Sequence, residues 1–185
     1  MQLDAQDYLE LVEKTGDLLF FDIESTSLNG DFGSIVCVSL KTHGEDPVTF
    51  HVTKVGDDKK LIQQVSKYMA ERGCWVSYYG KGFDIKMLNT RLLYHKLPAM
   101  TKNLHLDLYY SVRYQLKLGS GKLGHMVDWL RLGEGKMSVP TGVWAEVAMY
   151  PKKNIPILVD RCESDVRILE NLYNSTKHLV VNITK

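Results

Sequence analysis

Apolar and polar positions along the chain change period several times, and each change marks an element. Residues 5–14 carry apolar side chains at helical spacing and predict a short amphipathic helix. "DLLFFDIES" (17–25) is a run of large apolar residues with no polar alternation until its end, which predicts a strand buried on both faces. "NGDFG" (29–33) is a turn signal. "SIVCVSLKT" (34–42) and the alternating "PVTFHVTKV" (47–55) predict two further strands, joined by connections short enough for an antiparallel meander. The period then lengthens. "DKKLIQQVSKYMAER" (58–72) places Leu61, Ile62, Val65, Tyr68 and Met69 on one helical face and stops at Gly73. "CWVSYYG" (74–80) predicts a strand, "FDIKMLNTRLLYHK" (83–96) a helix ended before Pro98, and "NLHLDLY" (103–109) a fifth strand. The remainder is mostly helical: "KLGHMVDWLRLG" (122–133), a loop "EGKMSVPTG" (134–142), and a long final helix over 155–179.

Three strands followed by helix–strand–helix–strand predict an α/β domain with a five-stranded mixed sheet, three strands antiparallel and then two parallel, flanked by helices. At 185 residues and 44% hydrophobic content the chain fits a single domain spanning 1–185. The net charge of +1 provides no global field toward nucleic acid or membrane, so polyanion binding would need a local patch. The opening residues have no basic region followed by an apolar stretch, and no apolar run approaches the length of a membrane span. Cys37, Cys74 and Cys162 are odd in number and without CxxC spacing. They read as reduced, mostly buried thiols of a cytoplasmic protein rather than a disulfide framework or zinc site.

The unusual chemistry lies in the acids. In a strand, Asp22 and Glu24 of "FFDIES" point to the same face and repel unless a proton, a basic side chain or a metal ion lies between them. A hard divalent cation prefers oxygen ligands and is held by one or two carboxylates; otherwise the pair is a strand end emerging into water. Asp84 directly follows a strand at the start of a helix, where an acid also suits the helix dipole. Asp107 lies between Leu106 and Leu108 inside a strand, where a charge needs a partner or an exposed edge. Asp165 shares a helical stripe with Leu158, Cys162, Ile168, Leu169 and Leu172, with Arg161 one turn earlier as an available counter-charge. "GSGKLG" (119–124) lacks the full phosphate-loop pattern and reads as a turn before a helix. Trp75, Trp129 and Trp144 read as core anchors.

These stretches resemble the motifs of the DEDD (DnaQ-like) superfamily of 3′–5′ exonucleases, which have a ribonuclease H-like fold. "DLLFFDIESTSL" (17–28) is similar to the first motif, "YGKGFDIKML" (79–88) to the second, with Tyr79 in place of its usual Asn, and "RCESDVRILENLY" (161–173) to the third. "SGKLGHMVDWLRLGEGKM" (120–137) resembles the linker helix of family B polymerase proofreading domains and bacterial YprB-like exonuclease domains. The resemblance covers about residues 16–175. It implies ligation of two Mg²⁺ or Mn²⁺ ions by Asp22, Glu24, Asp84 and Asp165, a supporting place for Asp107, and two-metal hydrolysis of phosphodiester bonds. It implies single-stranded nucleic acid or frayed 3′ ends as substrate, DNA ahead of RNA, and a polymerase or another replication or repair protein as partner. Thr26 and Leu28 align with positions that touch the 3′-terminal nucleotide. Phe83 would lie beneath a base or pack in the core. Lys81 and Lys86 would line a path for the phosphate backbone, whereas Arg91 and Lys96 read as a solvated helix face. The third motif normally carries a general base, a Tyr four residues or a His five residues before its Asp; here those positions are Arg161 and Asp160. Arginine does not give up its proton in a protein. Three readings follow: the metals alone activate water while Arg161 grips a phosphate or steadies Asp165; the base is Tyr150, His125 or Glu163; or hydrolysis is slow or absent, leaving a binding module. The first is favoured, which makes Arg161 a candidate catalytic residue beside the four acids.

Overall fold

The run of large apolar residues before Asp22 forms the middle of a sheet. A computed structural model of the protein describes residues 5–100, 103–133 and 137–180. Its strands are β1 (Leu18–Ser25), β2 (Ile35–Thr42), β3 (Val48–His51), β4 (Cys74–Ser77) and β5 (Leu104–Asp107), in the spatial order β3-β2-β1-β4-β5. β1 pairs antiparallel with β2 and parallel with β4; β2 pairs antiparallel with β3, and β4 parallel with β5. The expected sheet, three strands antiparallel and two parallel, is therefore present. Leu18 through Phe21 are covered on both sides, as an unalternating strand requires.

Helices α1 (Ala5–Lys14), α2 (Lys59–Ala70), α3 (Asp84–Tyr94), α4 (Leu108–Gln115), α5 (Leu123–Leu130), α6 (Thr141–Glu146) and α7 (Pro151–Thr176) cover the two faces. On one face Leu19, Phe21 and Ile23 pack with Leu61, Ile62, Val65 and Met69 of α2 and with Leu88 and Leu92 of α3. On the other, Leu18 and Phe20 pack with Val166, Leu169, Leu172 and Tyr173 of α7, together with α1, α4 and α5. The three cysteines are free and buried. Among the described residues, no helix is long and apolar enough to cross a membrane.

Several boundaries differ from the pattern reading. The fifth strand stops at Asp107 rather than running to 109, because the Asp107 carboxylate accepts the Tyr109 N–H (3.2 Å) and starts α4. The last helix begins at Pro151, four residues early. Proline suits a first helical position, and the helix then continues through Pro156. The loop expected over 134–142 contains the start of α6; residues 134–136 lie outside the described residues. Trp75 is buried in the core and Trp144 packs against it while reaching a carboxylate described below, whereas Trp129 is 53% exposed.

Arg91 is the largest correction. It is not on a solvated face but 5% exposed, with Nε and Nη2 on the two oxygens of the buried Asp58 (2.8 and 3.0 Å). Asp58 also takes the His95 ring nitrogen (2.7 Å) and the Ile35 N–H (2.9 Å), while Arg91 Nη1 donates to the Gly30 carbonyl (3.2 Å). This cluster fastens the loop after β1 to α2 and α3.

Candidate metal centre

β1 is longer than its parallel neighbour. Its pairing with β4 ends at Phe20↔Val76, while its pairing with β2 continues through Asp22↔Ser39 and Glu24↔Cys37. Asp22 and Glu24 therefore project past the end of β4, at the carboxyl edge of the parallel strands, where α/β sheets place their ligands. The two-residue strand period keeps them on the face that also carries Phe20. α7 crosses this face, and its buried stripe of Leu158, Cys162, Asp165, Leu169 and Leu172 turns Asp165 toward them. Oxygen atoms of Asp22, Glu24 and Asp165 lie within 4.8 Å of one another. Cys162 fixes the register, its thiol donating to the Asp22 carbonyl at 3.2 Å.

Asp84 stands in the first turn of α3, buried, with its carboxylate on the Ile23 backbone N–H. It therefore lies beside β1 between Asp22 and Glu24, although it is not one of the three whose oxygens converge within 4.8 Å. Burial pushes its carboxyl up to about 7, helped by the charges of Asp107 and Glu24 and opposed by the backbone N–H groups of Asp84 and Ile23. Burial also raises Glu24, against the lowering pull of Trp144 and Arg161.

The basic side chain missing from the strand comes from α7. Arg161 Nε donates to Glu24 Oε1 at 2.6 Å, and Nη2 lies 3.6 Å from Asp165 Oδ2. Trp144 of α6 donates its indole N–H to the other Glu24 oxygen at 2.7 Å. Pattern reading missed Trp144; an indole in a short polar helix gave only the general signal of an amphipathic ring needing a polar partner.

The substrate candidates divide. Thr26, Leu28 and Phe83 line one cleft of about 320 Å³ with Ile23, Glu24 and Trp144. Leu28 is 82% exposed there, Phe83 also packs against the core, and the Thr26 hydroxyl accepts the Ser34 N–H (3.0 Å). Lys81 is half-buried; burial lowers its ammonium pKa, and the nearby Asp107 opposes that. Lys86 is exposed on α3. Asp107 holds the second-motif loop, accepting the N–H groups of Tyr79 (2.7 Å) and Lys81 (2.9 Å). Among the alternative bases, Glu163 is engaged by Thr49 (2.8 Å) and Arg167 (3.4 Å), while Tyr150, His125 and Asp160 are exposed.

Oxygen donors alone, three of them converging at a strand end, fit a hard divalent cation rather than zinc or copper. Comparisons with known proteins bear on family and fold. The sequence model of the RNase_H superfamily matches residues 19–176. A comparison with curated proteins finds no match. Among solved structures, the family B DNA polymerase of the hyperthermophilic archaeon Pyrobaculum calidifontis aligns with a TM-score of 0.70 at 20% identity, over 86% of this chain. The fold is thus shared with a region making up 24% of that polymerase.

Proposed function

The chain belongs to the RNase H superfamily, and on that premise we propose that it is a divalent-metal-dependent 3′–5′ exonuclease acting on single-stranded nucleic acid or frayed 3′ ends, DNA ahead of RNA. The observation that carries the proposal is the convergence of Asp22, Glu24 and Asp165 within 4.8 Å, beside the buried Asp84. These four acids would hold two Mg²⁺ or Mn²⁺ ions. Bound there, the ions would lower the pKa of an attacking water and stabilise the leaving 3′-oxygen. The chain's own residues do the positioning. Asp84, set at the α3 start, and Asp22 and Glu24, on one strand, are fixed by backbone rather than by long flexible side chains. The cleft of Thr26, Leu28, Phe83 and Trp144 offers an apolar seat for a terminal nucleotide next to Glu24. Partners of the polymerase, replication or repair class fit this reading.

The test uses a 3′- or 5′-labelled oligonucleotide with Mg²⁺ or Mn²⁺. Release of single nucleotides from the 3′ end, lost in Asp22→Ala, is the expected result. A closed circular substrate must stay intact; cutting it would identify an endonuclease. Equal cleavage by parent and Asp22→Ala would show that the assigned site is wrong.

A second reading has its own support. Arg161 stands where the related exonucleases carry a base, and it is tied to Glu24. In this reading the protein is a catalytically weak or inactive module that binds nucleic acid or a replication partner. Metal-dependent oligonucleotide binding without product, in the same assay, would favour it.

A further inference from the structure

Both oxygens of Glu24 are already engaged, Oε1 by the Arg161 guanidinium and Oε2 by the Trp144 indole. Arg161 is held from several sides. Nη2 faces Asp165 at 3.6 Å, Nη1 donates to the Met137 carbonyl at 2.6 Å, and Cζ lies 5.2 Å from the centre of the Trp144 ring. Its side chain is only 16% exposed. The guanidinium thus rests on two of the three carboxylates that converge as metal ligands. We infer that Arg161 is a built-in cation that competes with a divalent metal ion for the Glu24–Asp165 edge of the site, so that full metal loading requires the guanidinium to leave Glu24. The inference rests on the metal-site reading above.

The physical case is one of charge and of lone pairs. Without metal, clustered carboxylates repel, and a planar fork of donors neutralises them at a fixed position. A dication entering the same edge meets a unit positive charge roughly 4 Å away, a repulsion that even in bulk water corresponds to more than about tenfold in affinity. The ion must also take a Glu24 Oε1 lone pair that the Arg161 N–H now uses. Because the Met137 carbonyl holds the same guanidinium, its departure would also break that tie, while the Trp144 indole stays on the other Glu24 oxygen. Arg161 therefore acts on metal loading and is a positioning residue, with no part in proton transfer.

Titration calorimetry of the full chain with MnCl₂, without nucleic acid, tests this. Arg161→Gln keeps much of the stem and a donor but removes the charge, and Arg161→Ala removes both. Both are expected to bind Mn²⁺ at least about tenfold more tightly than the parent, while Arg161→Lys, which keeps the charge, stays near it. Circular dichroism melts identify the variants that remain folded, and Arg161→Gln decides the question if Arg161→Ala does not fold. Unchanged or weaker Mn²⁺ affinity in folded Arg161→Gln would overturn the competition while leaving the metal centre standing. Absence of Mn²⁺ uptake in every form, Arg161→Gln included, would overturn the metal centre and this inference together.

Discussion

Tyr79 adopts a left-handed backbone (φ 66°) and donates its N–H to Asp107 at 2.7 Å. The exonuclease motif that this stretch resembles carries Asn at this position, and Asn tolerates that conformation better than most non-glycine residues. Here a tyrosine accepts the strain, fixed by Asp107 and by ring contacts with Tyr109 and Tyr110. Its ring lies over Gly82, where an added Cβ would come within 2.5 Å of the ring. The two positions are therefore coupled. Gly82→Ala should destabilise the parent by about 1–3 kcal/mol and cost clearly less in a Tyr79→Asn background. A double-mutant cycle by denaturant unfolding measures this, and strict additivity would show that the ring does not confine Gly82.

Asp107→Ala removes the acceptor for three backbone N–H groups, those of Tyr79, Lys81 and Tyr109. The expected loss is on the order of 1–3 kcal/mol, with faster amide exchange in the 79–83 loop, because three part-buried donors would lose a carboxylate acceptor. Exchange confined to α4 would limit Asp107 to a capping role.

Breaking the buried cluster under the β1–β2 loop should be costly. Asp58→Ala leaves the Arg91 charge without its partner, with an expected loss of about 3–5 kcal/mol. The Ile35 N–H loses its acceptor as well, while the Gly30 carbonyl keeps the Arg91 donor. Chemical denaturation of Asp58→Ala against Arg91→Met compares the two stranded charges, and Arg91→Met should be the milder change because Asp58 keeps the His95 ring and the Ile35 N–H as partners.

Metal should stabilise the folded chain through the acids alone. At a hundredfold excess over its Kd, Mn²⁺ is expected to add about 2.7 kcal/mol, roughly 5–10 °C in Tm. Asp22→Ala and Asp165→Asn should lose that shift while melting cooperatively without metal. A shift of parent size in Asp165→Asn would place the ion elsewhere.

Two groups lose stabilisation in acid, His105 and Asp58, while Asp84, whose buried carboxyl is pushed up to about 7, works with the opposite sign. Burial lowers His105 to about 3, and its ring nitrogen sits 2.7 Å from the Ser77 hydroxyl. The unfolded chain takes up the proton near pH 6.5 and the folded one does not. The stability conferred by the neutral ring is therefore full above pH 6.5 and falls as pH drops toward 3, by about 2–3 kcal/mol between pH 6.5 and 4.5. For Asp58, burial raises the carboxyl, but the hydrogen bonds from Arg91, His95 and Ile35 together with the Arg91 charge outweigh it and hold it low. Its contribution is present above the unfolded carboxyl range and is lost lower still, as pH falls through its folded value. The stability difference between parent and His105→Gln should shift against the parent by about 2–3 kcal/mol as pH falls from 6.5 to 4.5, with the Asp84 contribution cancelling in the comparison; a difference independent of pH would mean that His105 is protonated in the folded state.

Local pattern alone determined most of the elements of this protein. The apolar run before Asp22 reads as a central strand and the period change at residue 58 as the start of a helical layer, because burial on two faces and burial on one stripe leave different spacings in the chain. The same periodicities put Asp22 and Glu24 on one strand face and Asp165 on an apolar helical stripe. Tertiary packing decided what those acids meet. Arg161 reads along its helix as a neighbour of Asp165, and nothing local shows that its closer contact is Glu24, on the strand beneath that helix. Arg91 reads as a surface cation until Asp58 is brought under it. Trp144 packs against the core, and only α6 also brings its indole N–H to a carboxylate. Charges and hydrogen-bond donors have no period of their own. Their partners are chosen by the elements that happen to cross, so their roles appear only once the sheet and its helices are assembled.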